Sequence, residues 1–340
     1  MPFIKKHTLL LCVLIFTLSF FFTFLYVDLG QVMYYSTKDG NISAIKIFIL
    51  SFFTIVDIIS LILSFIFFIK YLRKNKTKKK WLISILVILF ELIYTFYYSM
   101  FSIAPGFTFY PKYLDRNILE YSNVRQVRVN VLGNTYTSTY YDNNYSKVTI
   151  FFVGNGMAST DIFYRIRENN LIDSERNLLV MDYPMFGDNQ GNLTEKTIYK
   201  EIDKYMDFLI KDEGYSLSDI RVCGYSIGTG LACYTAKKYN VESLVLFAPY
   251  HKFQVAMNQV VPAFYGPLET CVRFKFDSYS RAKDIKCPVK VYYSYNDDAI
   301  PASSTLKLIT QFTNVTAIEV KNATHAQVLN IEELIENALH

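Results

Sequence analysis

Three long apolar runs open the chain, at residues 8–27, 47–69 and 81–103. A helix needs about 20 apolar residues to cross a hydrocarbon core, and soluble core helices rarely stay apolar that long. The pattern predicts an N-terminal anchor of three transmembrane helices within residues 1–104. No small-x-small cleavage site follows the first run, so it reads as an uncleaved anchor rather than a signal peptide. Residues 105–123, broken by Pro105, Gly106 and Pro111, predict a linker. The rhythm then changes. Residues 124–131 and 135–141 read as an antiparallel pair turning around Gly133 and Asn134. A continuous apolar run of the kind buried on both faces follows at 147–153, and further strand-like segments lie at 177–182, 219–223, 243–247, 288–294 and 316–320. Between them lie helical stretches at 161–170, 194–213 and 227–238, then from 302 and from 326. In the second of these Ile198, Ile202, Tyr205, Met206, Leu209 and Ile210 share one face. Strands alternating with helices predict an α/β domain over residues 124–340, with a mostly parallel sheet covered on both sides. Residues 250–276, irregular and rich in Phe, Val and Tyr, predict a small cap over a pocket.

Composition and charge sharpen this division. Hydrophobic residues make up 51% of the chain, and the excess sits in the anchor. The net charge of +5 is local rather than domain-wide. Lys70, Arg73, Lys74, Lys76, Lys78, Lys79 and Lys80 crowd between the second and third runs, a topological signal and not a nucleic-acid surface. With Lys5 and Lys6 ahead of the first run, the charges predict a cytoplasmic N-terminus and an extracytoplasmic domain, in a multi-pass protein of the plasma membrane. Asp57 and Glu91 lie at the centres of their runs. They read as neutral carboxyls bonded inside a helix bundle, with a shared-proton pair as the alternative. Cys12, Cys223, Cys233, Cys271 and Cys287 have no metal-ligand spacing. They read as free thiols, and a Cys271–Cys287 bridge stays open.

The candidate chemistry lies at Gly224-Tyr225-Ser226-Ile227-Gly228. This pentapeptide follows a predicted strand and opens a predicted helix, the context of a nucleophile elbow. A serine hydroxyl needs a base. Of the four histidines, His7 precedes the anchor and His340 ends the chain. His325, between the last strand and last helix, is the candidate base, and His251 the candidate pocket residue. Asp297 follows the strand at 288–294 and is the candidate acid, with Asp298 as main rival and Asp182 as a distant one. The oxyanion donors expected are the N–H groups of Ile227 and Gly156, with Met157 as the alternative. Tyr225, Met157 and His251 complete the expected substrate-binding set.

Together these residues resemble the α/β-hydrolase superfamily and, within it, the BEM46-like membrane-associated serine hydrolases. The resemblance rests on GYSIG, FVGNG, MDYPMFGDNQGNLTE, CPVKVYYSYNDDAIP and ATHA. It implies the nucleophile, acid and base roles for Ser226, Asp297 and His325, and Gly156 with Ile227 at the oxyanion. Val153 departs from the family by replacing a histidine before Gly-Asn, and Ala323-Thr324 by replacing the glycine before the base. The expected activity is hydrolysis of a carboxylic ester or thioester, such as an acylated lipid or lipoprotein, through an acyl-enzyme and without metal or organic cofactor. A membrane-anchored peptidase and a non-catalytic receptor or scaffold with the same fold are the alternatives.

Overall fold

The structure, a computed structural model, describes residues 109–168, 175–191, 193–260 and 262–329, with seven single positions between 62 and 96. The chain divides into two compact units, Met1–Gly106 and Phe107–His340. Apart from those seven positions, the three apolar runs lie outside the described residues, as do Cys12, Asp57, Glu91, His7 and His340. The seven positions are helical. Ile62, Ile66, Leu86, Leu89, Ile93 and Phe96 among them turn apolar side chains outward, 41–66% exposed. No described helix is long and apolar enough to cross a membrane.

The second unit is built on one eight-stranded sheet. Its strands are β1 (Val124–Val131), β2 (Asn134–Tyr141), β3 (Val148–Phe152), β4 (Asn177–Met181), β5 (Ile220–Tyr225), β6 (Ser243–Phe247), β7 (Val289–Tyr293) and β8 (Val315–Glu319), in the order β1-β2-β4-β3-β5-β6-β7-β8. β2 runs antiparallel to both β1 and β4, and every other pairing is parallel. Every residue of β3 and β4 is buried, as their unbroken apolar character requires of strands covered on both faces. The connecting helices are α1 (Ser159–Glu168), α2 (Glu195–Asp207), α3 (Gly228–Tyr239), α4 (Phe253–Val260), α5 (Ser278–Ala282), α6 (Ala302–Ile309) and α7 (His325–Val328).

Local departures from the predicted pattern have physical causes. The β1–β2 turn is Leu132-Gly133, one residue earlier than expected, with φ of 53° and 84°. Two successive positive φ angles give the tight turn whose twist matches a hairpin, and Asn134 thereby joins β2. Helix α2 is capped by Thr194, which accepts from the Thr197 N–H, and buries Ile198, Ile202, Tyr205 and Met206. It then widens into a π turn over Phe208–Asp212, which buries Leu209 but leaves Ile210 half-exposed. Residues 109–123 are no linker. Phe109, Leu114 and Ile118 are buried, and Asp115 caps a 3₁₀ turn over Arg116–Glu120. Cys223, Cys233, Cys271 and Cys287 are buried and free, so the Cys271–Cys287 bridge is not formed. Burial pushes the Cys223 and Cys233 thiols up to about 12 and Cys287 up to about 11.

The sheet's amino edge holds a buried charge. Arg176, with its side chain 1% exposed, pairs with Glu242 and donates to the carbonyls of Val148 and Asp219 at 3.4 and 3.2 Å. Lys147 approaches the same carboxylate at 3.1 Å. Burial opposes ionisation of Glu242, but Lys147 and Arg176 outweigh it and hold its pKa below the ordinary value. Removing one partner of a buried pair strands the other charge, so Glu242→Gln is expected to cost about 3 kcal/mol in urea unfolding at neutral pH. A lowered carboxyl pKa stabilises above the unfolded value and loses that contribution as pH falls. Wild type and variant should therefore converge below roughly pH 4. Parallel curves across that range would remove the ion pair from the stability of this edge.

Candidate active site

Ser226 occupies the turn between β5 and α3 with φ of 52°, the left-handed region that non-glycine residues rarely enter. Its neighbours explain why the turn is shaped this way. A Cβ on Gly224 would stand 2.7 Å from the Gly228 carbonyl oxygen, and one on Gly228 only 2.2 Å from that of Phe152. Strand and helix therefore pass at a separation only glycines allow. The Ser226 N–H donates to the Phe247 carbonyl at 2.9 Å, and its own carbonyl accepts from the Thr229 N–H and hydroxyl at 3.0 and 2.6 Å. The strained residue is pinned on both sides, with its hydroxyl projecting beyond the carboxyl edge of the sheet. Ile227 takes the N-cap position of α3.

The structure brings Ser226, Asp297 and His325 together at that edge. His325 is the first residue of α7, whose Thr324 and Gln327 form a capping box. Its Nε2 lies 2.8 Å from Ser226 Oγ. Its Nδ1 lies 3.0 and 2.9 Å from the two carboxylate oxygens of Asp297. A carboxylate there selects the tautomer that carries hydrogen on Nδ1 and turns the Nε2 lone pair toward the serine. Asp297 is held by its own loop, accepting from the N–H groups of Ala299 and Ile300 at 2.9 and 2.7 Å. The rival Asp298 has a different job. It accepts from the His325 backbone N–H at 2.9 Å, a bond that holds its carboxyl below the ordinary value. Tyr225 donates its hydroxyl to the His325 carbonyl at 3.1 Å and stacks on the imidazole with 5.2 Å between centroids.

A cleft of about 280 Å³ opens over Ser226 and His325. Its walls include Tyr225, Ile227, Ile300 and the α4 side chains Phe253, Ala256 and Met257. From the loop after β3 it is Asn155 that lines the cleft, and not Gly156 or Met157 as expected. Val153 and Gly154 are still packed beneath the site. Tyr183 donates its hydroxyl to the Val153 carbonyl at 2.6 Å, and a Cβ on Gly154 would meet the Tyr225 ring at 2.6 Å. Asn155 is the residue at which the loop emerges. Its Oδ1 accepts from the Tyr110 N–H at 2.8 Å, so the segment expected as a linker braces this loop.

Two further expected residues stand elsewhere. His251 is absent from the cleft lining. Its backbone N–H donates to Ser304 Oγ at 3.1 Å and its Nδ1 lies 2.8 Å from the same atom, tying the β6–α4 loop to α6. Burial, then Lys307 and Lys252, lower its pKa. Asp182 is buried and accepts from the Ser159 N–H and hydroxyl at 2.7 and 2.5 Å, which anchors the start of α1 behind the Asn155 loop. Among the described residues, no group of three His, Cys, Asp or Glu side chains converges as metal ligands would. Sequence reading missed Asn155, Tyr183 and Tyr110. The glycines around Asn155 signalled a close-packed turn, but contacts with Tyr183 and Tyr110 are non-local and left no sequence signal.

No protein-family model matches the sequence. Among known proteins, an alpha/beta hydrolase of Acanthamoeba polyphaga mimivirus is 28% identical over 189 residues, 54% of this chain and 68% of that protein. The alpha/beta hydrolase domain-containing protein aho-3 of Caenorhabditis elegans is 28% identical over 45% of this chain and 44% of its own length. Alpha/beta hydrolase domain-containing protein 17C of Mus musculus is 27% identical over 39% of each chain. The chain thus spans less than half the length of the last two relatives. Of solved structures, an esterase of Pyrococcus furiosus superposes with a TM-score of 0.54 at 14% identity, covering 68% of this chain and 98% of its own. An alpha-beta hydrolase of Vibrio vulnificus gives 0.55 at 20% identity, covering 72% and 91%. The chain has the α/β-hydrolase fold, and in sequence it is similar to proteins described as alpha/beta hydrolases.

Burial raises the Asp182 carboxyl from 3.8 to about 7, against the two Ser159 bonds that favour its ionised form. A raised carboxyl pKa means the folded state prefers the proton. That contribution is complete below the unfolded value and is lost as pH climbs through about 7, on the order of 4 kcal/mol in all. Asp182→Asn should flatten the pH dependence of stability between pH 5 and pH 8 in chemical denaturation. An unchanged slope would show that Asp182 does not titrate in this range.

Proposed function

We propose that this chain is a membrane-tethered serine hydrolase that cleaves carboxylic esters or thioesters, and that it is akin to the BEM46-like group. One observation carries the reading: the imidazole of His325 bridges the Ser226 hydroxyl and the Asp297 carboxylate, with both bonds between 2.8 and 3.0 Å. Ser226 Oγ attacks the carbonyl carbon while Nε2 of His325 takes its proton, and Asp297 stabilises the resulting imidazolium. The charge gathering on the carbonyl oxygen is met by the Ile227 N–H and by the loop at Asn155. His325 then returns the proton to the departing alcohol or thiol, leaving an acyl-enzyme. Water attacks that ester as His325 takes its proton, and the acid is released as Ser226 recovers its hydrogen.

The tether reading rests on the apolar runs at 8–27, 47–69 and 81–103 and on the cationic stretch at 70–80. The outward-facing apolar side chains of the described helical positions from Ile62 to Phe96 accord with it. By the charge rule the catalytic unit faces away from the cytoplasm.

A fluorophosphonate probe is expected to label the full-length protein in detergent, and Ser226→Ala to abolish the adduct. Turnover of p-nitrophenyl butyrate should fall by about 10⁴-fold or more in Ser226→Ala and in His325→Ala. A folded wild type that neither labels nor turns over any ester would overturn the enzyme reading and leave a non-catalytic scaffold. The tether is tested separately, by whether the protein stays with membranes after alkaline carbonate extraction.

A further inference from the structure

The cleft over Ser226 is walled on one side by α4, and one residue packed behind that wall comes from outside the regular elements. Phe253 and Met257, one turn apart on α4, are the buried cleft residues of that helix, whereas Gln259 at the rim is exposed. Behind Phe253 stands an aromatic cluster. Its ring lies 5.3 Å from that of Phe276 and 6.3 Å from that of Phe109, between centroids. Phe109 in turn packs on Phe274 at 4.5 Å and on Phe186 at 6.3 Å. Phe109 is 1% exposed and sits next to Tyr110, whose N–H holds the Asn155 loop. The segment that opens the catalytic unit is therefore wedged behind the apolar wall.

Resting on the hydrolase reading above, we propose that the site selects esters of medium-length acyl chains, and that Phe109 sets the upper limit by backing Phe253. Size supports this. An apolar cavity of roughly 150 Å³ holds one benzene, six carbons, so on the same scale the cleft of about 280 Å³ holds about eleven. The wall beside the nucleophile is apolar, through Ile227, Ile300, Met257 and Phe253, so each methylene that enters it leaves water for hydrocarbon contact. A chain of sixteen carbons would exceed the space unless Phe253 moved, and Phe109 with Phe276 blocks that movement.

The test is a series of p-nitrophenyl esters from two to sixteen carbons, hydrolysed by the full-length protein in detergent. For wild type, kcat/KM should rise by up to about fourfold per methylene, peak at about eight to ten carbons and then fall. Phe109→Ala should move the peak to longer chains, with the milder Phe109→Leu as a second variant. Met257→Phe, which fills the cleft, should move it to shorter ones. Cooperative thermal unfolding identifies the variants that fold. A wild-type profile still rising at sixteen carbons, or already falling after four, would overturn the proposal. So would a peak that stays fixed in every folded variant. Absence of any Ser226-dependent turnover is a different result, and it removes the hydrolase reading together with this one.

Discussion

Helix α3 leaves strand β5 so close to its neighbours that a methyl group on Gly228 would stand inside the carbonyl of Phe152. This closeness forces the intervening residue into a left-handed conformation and lifts its side chain clear of the sheet. A serine on an ordinary loop would have its hydroxyl within reach of its own backbone and would find partners there. Here the backbone groups of Ser226 are already satisfied by Phe247 and Thr229, so the hydroxyl is the one group left facing outward. Parallel strands then do the rest. The loops after β3, β5, β7 and β8 emerge on the same edge, which is how Asn155, Ser226, Asp297 and His325 meet although up to 99 residues separate the serine from the histidine.

Holding the imidazole is a shared task. Asp297 faces the ring, Asp298 grips the backbone of the same residue, and Tyr225 covers the ring and bonds the carbonyl. The carboxylate of Asp297 is itself fixed by two amides of its loop. None of these groups has much freedom to follow a drifting imidazole. Preorganisation of this kind lowers the reorganisation needed when charge moves across the site.

Much of this was legible in the sequence because the deciding constraints are local. The spacing of glycines around Ser226 reports a turn that few other residues can make, and the unbroken apolar runs report strands covered on both faces. His325 was reachable because only four histidines exist and one of them follows the last strand. The parts that escaped are those decided by distant contacts. Residues 109–123 look like a linker because Pro111, with Pro105 and Gly106 shortly before it, breaks regular structure, yet tertiary packing buries Phe109, Leu114 and Ile118. Gly156 looked like the inward residue of its turn, but Tyr183 and Tyr225 hold the preceding residues down and let Asn155 emerge first. His251 sits at the right edge of the sheet and is claimed by Ser304 instead.

The burial of Cys223, Cys233, Cys271 and Cys287 has a practical corollary. Their sulfurs are shielded from reagents in solvent, and burial keeps at least three of them protonated at physiological pH. A single cysteine introduced at an exposed position such as Tyr295 or Leu217 would thus be the most accessible thiol among the described residues. Dyes, spin labels or surface-immobilisation chemistry can be directed to that handle without first replacing these four buried cysteines.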